Sequence, residues 1–250
     1  MNSYHGTRKK KKFDVLMVLA ILLFVAGVAL LLVDPIRTYL RNKKTEEGYN
    51  IVEAQISQNA ASNNGDDVTE ITFIVPKDAN EVNGEEYDIF TDNEEEKAAM
   101  SSMLDEEYDN MPDYVTLKAI GILQIDSVDI NIVVWDVATR VSLRYGGGHY
   151  GSSVLPGQYG NCSILAHHMR HAETNFHNLD KVKIGDDIKV TVTNGTTFTY
   201  VVDEIKTVHA YELEENLQGN ITKKRQITLV TCSYTETEKM RLLVIGHIKE

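Results

Sequence analysis

The sequence predicts an all-β domain carried on a single membrane-crossing helix, and three observations lead there. Short β-branched and aromatic runs, about eight of them, crowd residues 113–250 with few helical stretches between them. Asn194-Gly195 stands between two alternating runs, which is a strong hairpin signal. Val15 to Val33 is a stretch of nineteen residues without a charge. The first two fit a barrel or sandwich of one domain. The third gives about 28 Å of helix at 1.5 Å per residue, enough to cross roughly 30 Å of hydrocarbon.

The anchor is expected at 13–34, after a basic tail at 1–12 that includes Arg8-Lys-Lys-Lys-Lys12. A cleavable signal peptide would have a shorter apolar region ending in an A-x-A-like site, whereas this run ends in Leu-Leu-Val-Asp-Pro35. The basic cluster before the span favours a cytoplasmic N-terminus, against the weaker pull of Arg37, Arg41, Lys43 and Lys44 beyond it. The rest of the chain is then extracellular.

Residues 35–112 read as an acidic linker. The formal net charge of −12 is unevenly spread. Residues 1–44 carry nine Lys/Arg against two acids, residues 45–112 two against nineteen, and residues 113–250 fourteen against sixteen. The near-neutral domain has no basic face for nucleic acid. Within the linker, Glu70–Val75 suggests a short strand and Glu94–Leu104 a short helix, and most of the remainder reads as a solvated spacer.

In the domain at 113–250, Ile120–Ile125, Ile130–Trp135, Cys162–Ala166, Asp187–Val192, Thr196–Val202, Lys206–Ala210, Gln226–Thr231 and Arg241–Ile245 read as strands. Brief helices are expected near Ala138–Arg144 and Glu173–Leu179.

Several motifs carry little chemistry. Gly146-Gly-Gly-His-Tyr-Gly151 fits G-x-G-x-x-G but lacks a βαβ setting, so it reads as a flexible connection. His167-His-Met-Arg-His171 has the histidine spacing of a zinc helix without the glutamate of H-E-x-x-H. A Cys162–Cys232 disulfide is possible in an exported chain, but a domain of this size does not need one to bury a core. Cys162, mid-strand among apolar residues, reads as a small buried hydrophobe.

Cys232 differs in context, because it ends an apolar strand in Thr228-Leu-Val-Thr-Cys-Ser-Tyr234 and polar residues follow. A thiol nucleophile needs a base and a cation or donor near the developing oxyanion. Arg241 opens the next strand, and a hairpin would bring it about 5 Å from the cysteine's strand. His167 ends another strand. From the residues alone, Cys232 stays open between buried filler and nucleophile.

The motifs resemble those of sortases. Thr228-Leu-Val-Thr-Cys232 followed by Arg241-Leu-Leu-Val-Ile-Gly246 is similar to the family's TLxTC…R signature. Leu155-Pro-Gly-Gln-Tyr-Gly-Asn-Cys-Ser-Ile-Leu-Ala-His167 resembles the stretch leading to its catalytic histidine. Phe176-His-Asn-Leu179 with Gly185-Asp186 matches the F-x-x-L…G-D that follows. The three motifs stand in the family's order, from about Ala119 to the C-terminus.

The resemblance implies a closed eight-stranded β-barrel, with 113–250 as the catalytic domain of an extracellular, membrane-anchored cysteine transpeptidase. It implies that Cys232 attacks the threonine carbonyl of a Leu-Pro-x-Thr-Gly-like sorting signal in surface proteins and forms a thioester. His167 would then protonate the leaving glycine amine and deprotonate the incoming amine, ordinarily that of a peptidoglycan precursor. Arg241 would hold the substrate and stabilise the oxyanion, and Thr231 would help shape the substrate site. Adjacent strand residues point to opposite faces, so one of His167 and His168 faces the thiol, and the family's spacing from Gly160-Asn161 selects His167. No cofactor is implied. Some class A members bind calcium, but the loops around Gly146–Gly160 carry no acidic cluster, so no metal requirement is expected.

The single anchor favours a class A-like or class D-like enzyme, although Cys-x-Tyr is also similar to class B. The alternatives are a pilin-polymerising sortase, which usually adds a C-terminal span and an aromatic lid, and a catalytically inactive anchored interaction module. A papain-like or L,D-transpeptidase-like layout would need motifs that are absent.

Overall fold

The computed structural model describes residues 15–62, 70–77, 110, 112–168, 175–234 and 239–248, with backbone alone at 15, 16, 34, 232–234 and 239. The basic tail and the helix expected at Glu94–Leu104 lie outside the described residues. The chain divides into two units, Met1–Arg41 and Asn42–Glu250, and one helix, α1 (Val15–Ala61), contributes residues to both.

From Met17 to Val33 α1 is apolar all round, and Leu19, Leu22, Leu23, Phe24, Leu30 and Leu31 are exposed. A helix without a polar face suits a surrounding that is itself apolar. By length and composition it suffices to cross a membrane.

The second unit is built on nine strands: β1 (Thr72–Pro76), β2 (Tyr114–Ile125), β3 (Ile130–Trp135), β4 (Gly147–His149), β5 (Gly160–Leu165), β6 (Asp187–Val192), β7 (Thr197–His209), β8 (Arg225–Tyr234) and β9 (Lys239–His247). They pair in the order β1-β2-β3-β4-β5-β8-β9-β7-β6, and β6 pairs again with β2. The strands β2 to β9 therefore form a ring of pairings, with β1 attached to the first half of β2. The β3–β4 and β5–β8 pairs are parallel, and the other pairs are antiparallel.

Apolar residues inside the ring, among them Leu123, Ile132, Ile164, Ile188, Tyr200 and Val244, form the main core. Two smaller cores lie on its outer face. One gathers Leu143, Leu165, Val230, Leu243 and Ile245 under the short helix α2 (Leu213–Leu217). Strands β5 and β8 are consequently buried on both faces, which explains their near-continuous apolar runs.

The other outer core joins Val52 and Ile56 of α1 to Phe73 and Val75 of β1 and to Leu117 and Trp135. Phe73 stacks on Trp135 with ring centroids 6.2 Å apart. Within the segment expected to be an acidic linker, residues 42–61 thus belong to the folded unit, as does the short strand expected at Glu70–Val75 and found at Thr72–Pro76. Val52 and Ile56 are four residues apart on one helix face, and Phe73 and Val75 two apart on one strand face. The acids around them mask both patterns.

Two further expectations are corrected. Gly146–Gly151 is no flexible connection, because Gly147–His149 is the buried strand β4. A Cβ on Gly148 would stand 2.4 Å from Ala138 Cα, so glycine permits this close approach. The runs Thr196–Val202 and Lys206–Ala210 are one strand, β7, with a register shift between Val202 and Glu204. A bulge breaks the alternation there without ending the strand.

The hairpin at Asn194-Gly195 joins β6 to β7 as expected, with Gly195 at φ 85° in the region glycine occupies readily. The brief helix expected near Ala138–Arg144 is a single 3-10 turn, Ser142–Arg144; the one expected near Glu173–Leu179 lies partly outside the described residues, and a 3-10 turn at Leu179–Lys181 begins where it was expected to end.

Candidate active site

Strand alternation and register bring three of the expected site residues to one place. On β5, Cys162 and Ile164 point into the ring core, whereas Leu165 belongs to the outer core under α2. On β8, Ile227 and Leu229 point inward and Val230 outward. On β9, Leu242 and Val244 point inward, and Leu243 and Ile245 outward. Leu165 pairs with Val230, and Val230 with Leu243, so these three outward residues form one transverse row.

Two residues further along come position 167 beyond the end of β5, position 232 on β8 and position 241 on β9. Cys232 pairs directly with Arg241, which sets the two Cα atoms about 5 Å apart. The β5–β8 alignment continues past Leu165, because Ala166 N donates to Val230 O at 3.1 Å. Position 167 therefore lies next to position 232 in the parallel alignment. Val208 of β7 extends the row beyond Arg241.

Cys232 is not the last residue of its strand, as expected from the polar residues after it. β8 runs to Tyr234, which pairs with Lys239. A cysteine inside a paired ladder is held more firmly than one at a frayed end.

The Thr231 hydroxyl donates to Ala166 O at 2.8 Å and is buried. It ties the residue before Cys232 to the residue before His167. His167 and His168 are both half-buried. The Arg241 side chain is 1 % exposed, and its Nη1 donates to Met240 O at 3.1 Å. A guanidinium cannot shed its charge on burial, so it brings a permanent positive charge into a water-poor surrounding. There, its action on a nearby anion is screened less than at the surface.

Cys162 is a free thiol inside the ring core. Burial pushes its pKa from 9.0 up to about 12. It is thus kept protonated and inert. The spacing His167–His171 falls partly outside the described residues.

Sequence reasoning missed two supports of this row. The segment that leaves His167 returns at Asn175 and Phe176: Phe176 N donates to His167 O at 3.0 Å, and Asn175 Nδ2 to Leu143 O at 3.2 Å. Beyond Val208, His209 stacks on exposed Tyr211 with ring centroids 5.1 Å apart. The one available signal was an Asn placed just before an apolar Phe, which suits a left-handed turn residue.

A family model for the sortase domain matches residues 123–249. Sortase A of Listeria monocytogenes is 34% identical over 132 residues, covering 52% of this chain and 57% of that protein. Sortase A of Streptococcus agalactiae is 27% identical over 139 residues, covering 54% of each. The chain thus spans about half the length of these curated relatives. Among solved structures, Streptococcus agalactiae sortase C1 is similar at 30% identity and TM-score 0.48, over 52% of this chain and 69% of that one. Clostridium perfringens sortase C is similar at 27% identity and TM-score 0.46, over 53% and 70%.

Proposed function

The chain belongs to the sortase family, and we propose that it is a membrane-anchored cysteine transpeptidase built on a closed eight-stranded barrel. Its N-terminus is cytoplasmic and its barrel extracellular. It cleaves a Leu-Pro-x-Thr-Gly-like sorting signal in surface proteins and passes the acyl part to a cell-wall amine.

In this reading the Cys232 sulfur bonds to the threonine carbonyl carbon, and the oxyanion forms beside Arg241. The carbon–nitrogen bond to glycine then breaks, and His167 gives the leaving amine its proton. An acceptor amine attacks the thioester and loses a proton to His167 as the carbon–sulfur bond breaks and restores the thiolate. Water resolves the thioester where no amine is present. A buried, permanently charged Arg241 suits oxyanion stabilisation, since a fixed charge in a dry site needs no reorganisation.

The observation that supports the reading is the direct pairing of Cys232 with buried Arg241, beside the end of β5 from which His167 follows. The test is to mix the protein with a sorting-signal peptide, with and without an amine, and read masses. Expected are a thioester adduct on Cys232 and an amine-linked product. Absence of both across several motif variants would favour an inactive binding module.

A further inference from the structure

We propose that Asn175 is a positioning residue for His167, holding the base of the His167 segment against the floor of the site. The inference rests on the transpeptidase reading for the role of His167, but the tether itself stands on geometry.

His167 lies beyond the last residue of β5, so the ladder alone does not hold it. Its segment is fixed from two sides. On the entering side, Ala166 N donates to Val230 O, and the Thr231 hydroxyl donates to Ala166 O. On the returning side, Phe176 N donates to His167 O, and His168 forms an antiparallel bridge with Asn175. Phe176 is fully buried in the ring core, which anchors the return.

Asn175 joins these contacts to the site floor. It is buried and sits at φ 56°, the left-handed region where asparagine is among the few tolerated side chains. Its Nδ2 donates to Leu143 O at 3.2 Å, and the Leu143 side chain packs with Leu165, Val230 and Leu243, the row directly below His167, Cys232 and Arg241. Among the described residues its buried Oδ1 has no hydrogen-bond partner. What Asn175 supplies is a turn of unusual handedness and one donor aimed at the floor.

The test compares Asn175→Gly, which keeps the left-handed turn and removes the donor, with Asn175→Asp, which keeps size and turn but offers Leu143 O no N–H. In full-length protein, both should lower kcat for sorting-peptide cleavage about tenfold with KM within about twofold, since the acid–base group is misplaced while the groove is intact. The pH limb of kcat/KM assigned to His167 should move. Histidine-labelled NMR, with the His167 signal assigned from His167→Gln, should show an altered titration in both variants. This last readout needs no turnover, so it tests the tether even if the wild type cleaves no peptide, an outcome that would instead sink the transpeptidase reading. Unchanged kcat and titration in Asn175→Gly would overturn the proposal. So would an activity loss that follows the thermally unfolded fraction and disappears on cooling.

Discussion

Cys232 and Arg241 face each other across the β8–β9 ladder, and the arginine is almost wholly buried there. Nine positions apart in sequence, they become direct neighbours because β8 and β9 pair in antiparallel register. If Arg241 stabilises the oxyanion, Arg241→Ala should lower kcat by about a hundred- to a thousandfold, the usual scale for a lost oxyanion contact. Arg241→Lys should recover only part of this, because an ammonium lacks the planar fork. Single-turnover acylation of Cys232 is the measurement, and equal acylation rates in wild type and Arg241→Ala would remove the role.

His167 and His168 are separable. The aligned position beside Cys232 is 167, whereas 168 is the position bridged to Asn175. His167→Ala should abolish peptide cleavage, and His168→Ala should retain most of it. The reverse pattern would reassign the acid.

Thr231→Val keeps shape and removes the hydroxyl that binds Ala166 O. A buried carbonyl left without its donor costs about 1–3 kcal/mol. The urea midpoint should fall accordingly at unchanged slope. A midpoint equal to wild type would mean that another donor replaces the hydroxyl.

Phe73 is buried against Trp135, outside the ring. Phe73→Ala should cost about 3–5 kcal/mol, read by urea or thermal unfolding. A chain beginning at Asp113 would leave Leu117 and Trp135 without the cover of α1 and β1. It should therefore be less stable than one beginning at Asn42. Equal stability would return residues 42–77 to the status of a spacer.

Cys162 makes an alkaline prediction. Its folded pKa is raised from 9.0 to about 12 by burial, so above about pH 9 the unfolded chain releases a proton that the folded chain keeps. Stability is undiminished below pH 9 and falls as pH rises towards 12. Buried Tyr200, also raised by desolvation, acts in the same direction. Cys162→Ala should flatten the alkaline slope of unfolding free energy by about one proton. Iodoacetamide should leave Cys162 unmodified in the folded protein at pH 8, and rapid labelling would contradict its burial.

How much of this was legible in the chain depends on how local each signal is. Ile130–Trp135 and Asp187–Val192 coincide with β3 and β6, because a short apolar β-branched run and a polar/apolar alternation are both written into adjacent residues. The Asn194-Gly195 hairpin was equally readable. β4 was not, since its glycines have no side chains to form a pattern, and Gly148 is explained by the Ala138 backbone it approaches. The break in β7 misled for a related reason: a bulge and a turn look alike until the partner strand is known.

Sequence by itself determined the apolar helix, most strands, the inert setting of Cys162 and the motif order shared with sortases. Those features depend on composition and short-range periodicity. Tertiary structure decided that Thr231 is tied to Ala166, that Val52 and Phe73 meet at Trp135, and that Asn175 reaches Leu143. Each of these joins residues distant along the chain. Their adjacency follows from strand register and from how the ring returns on itself, which no local pattern encodes.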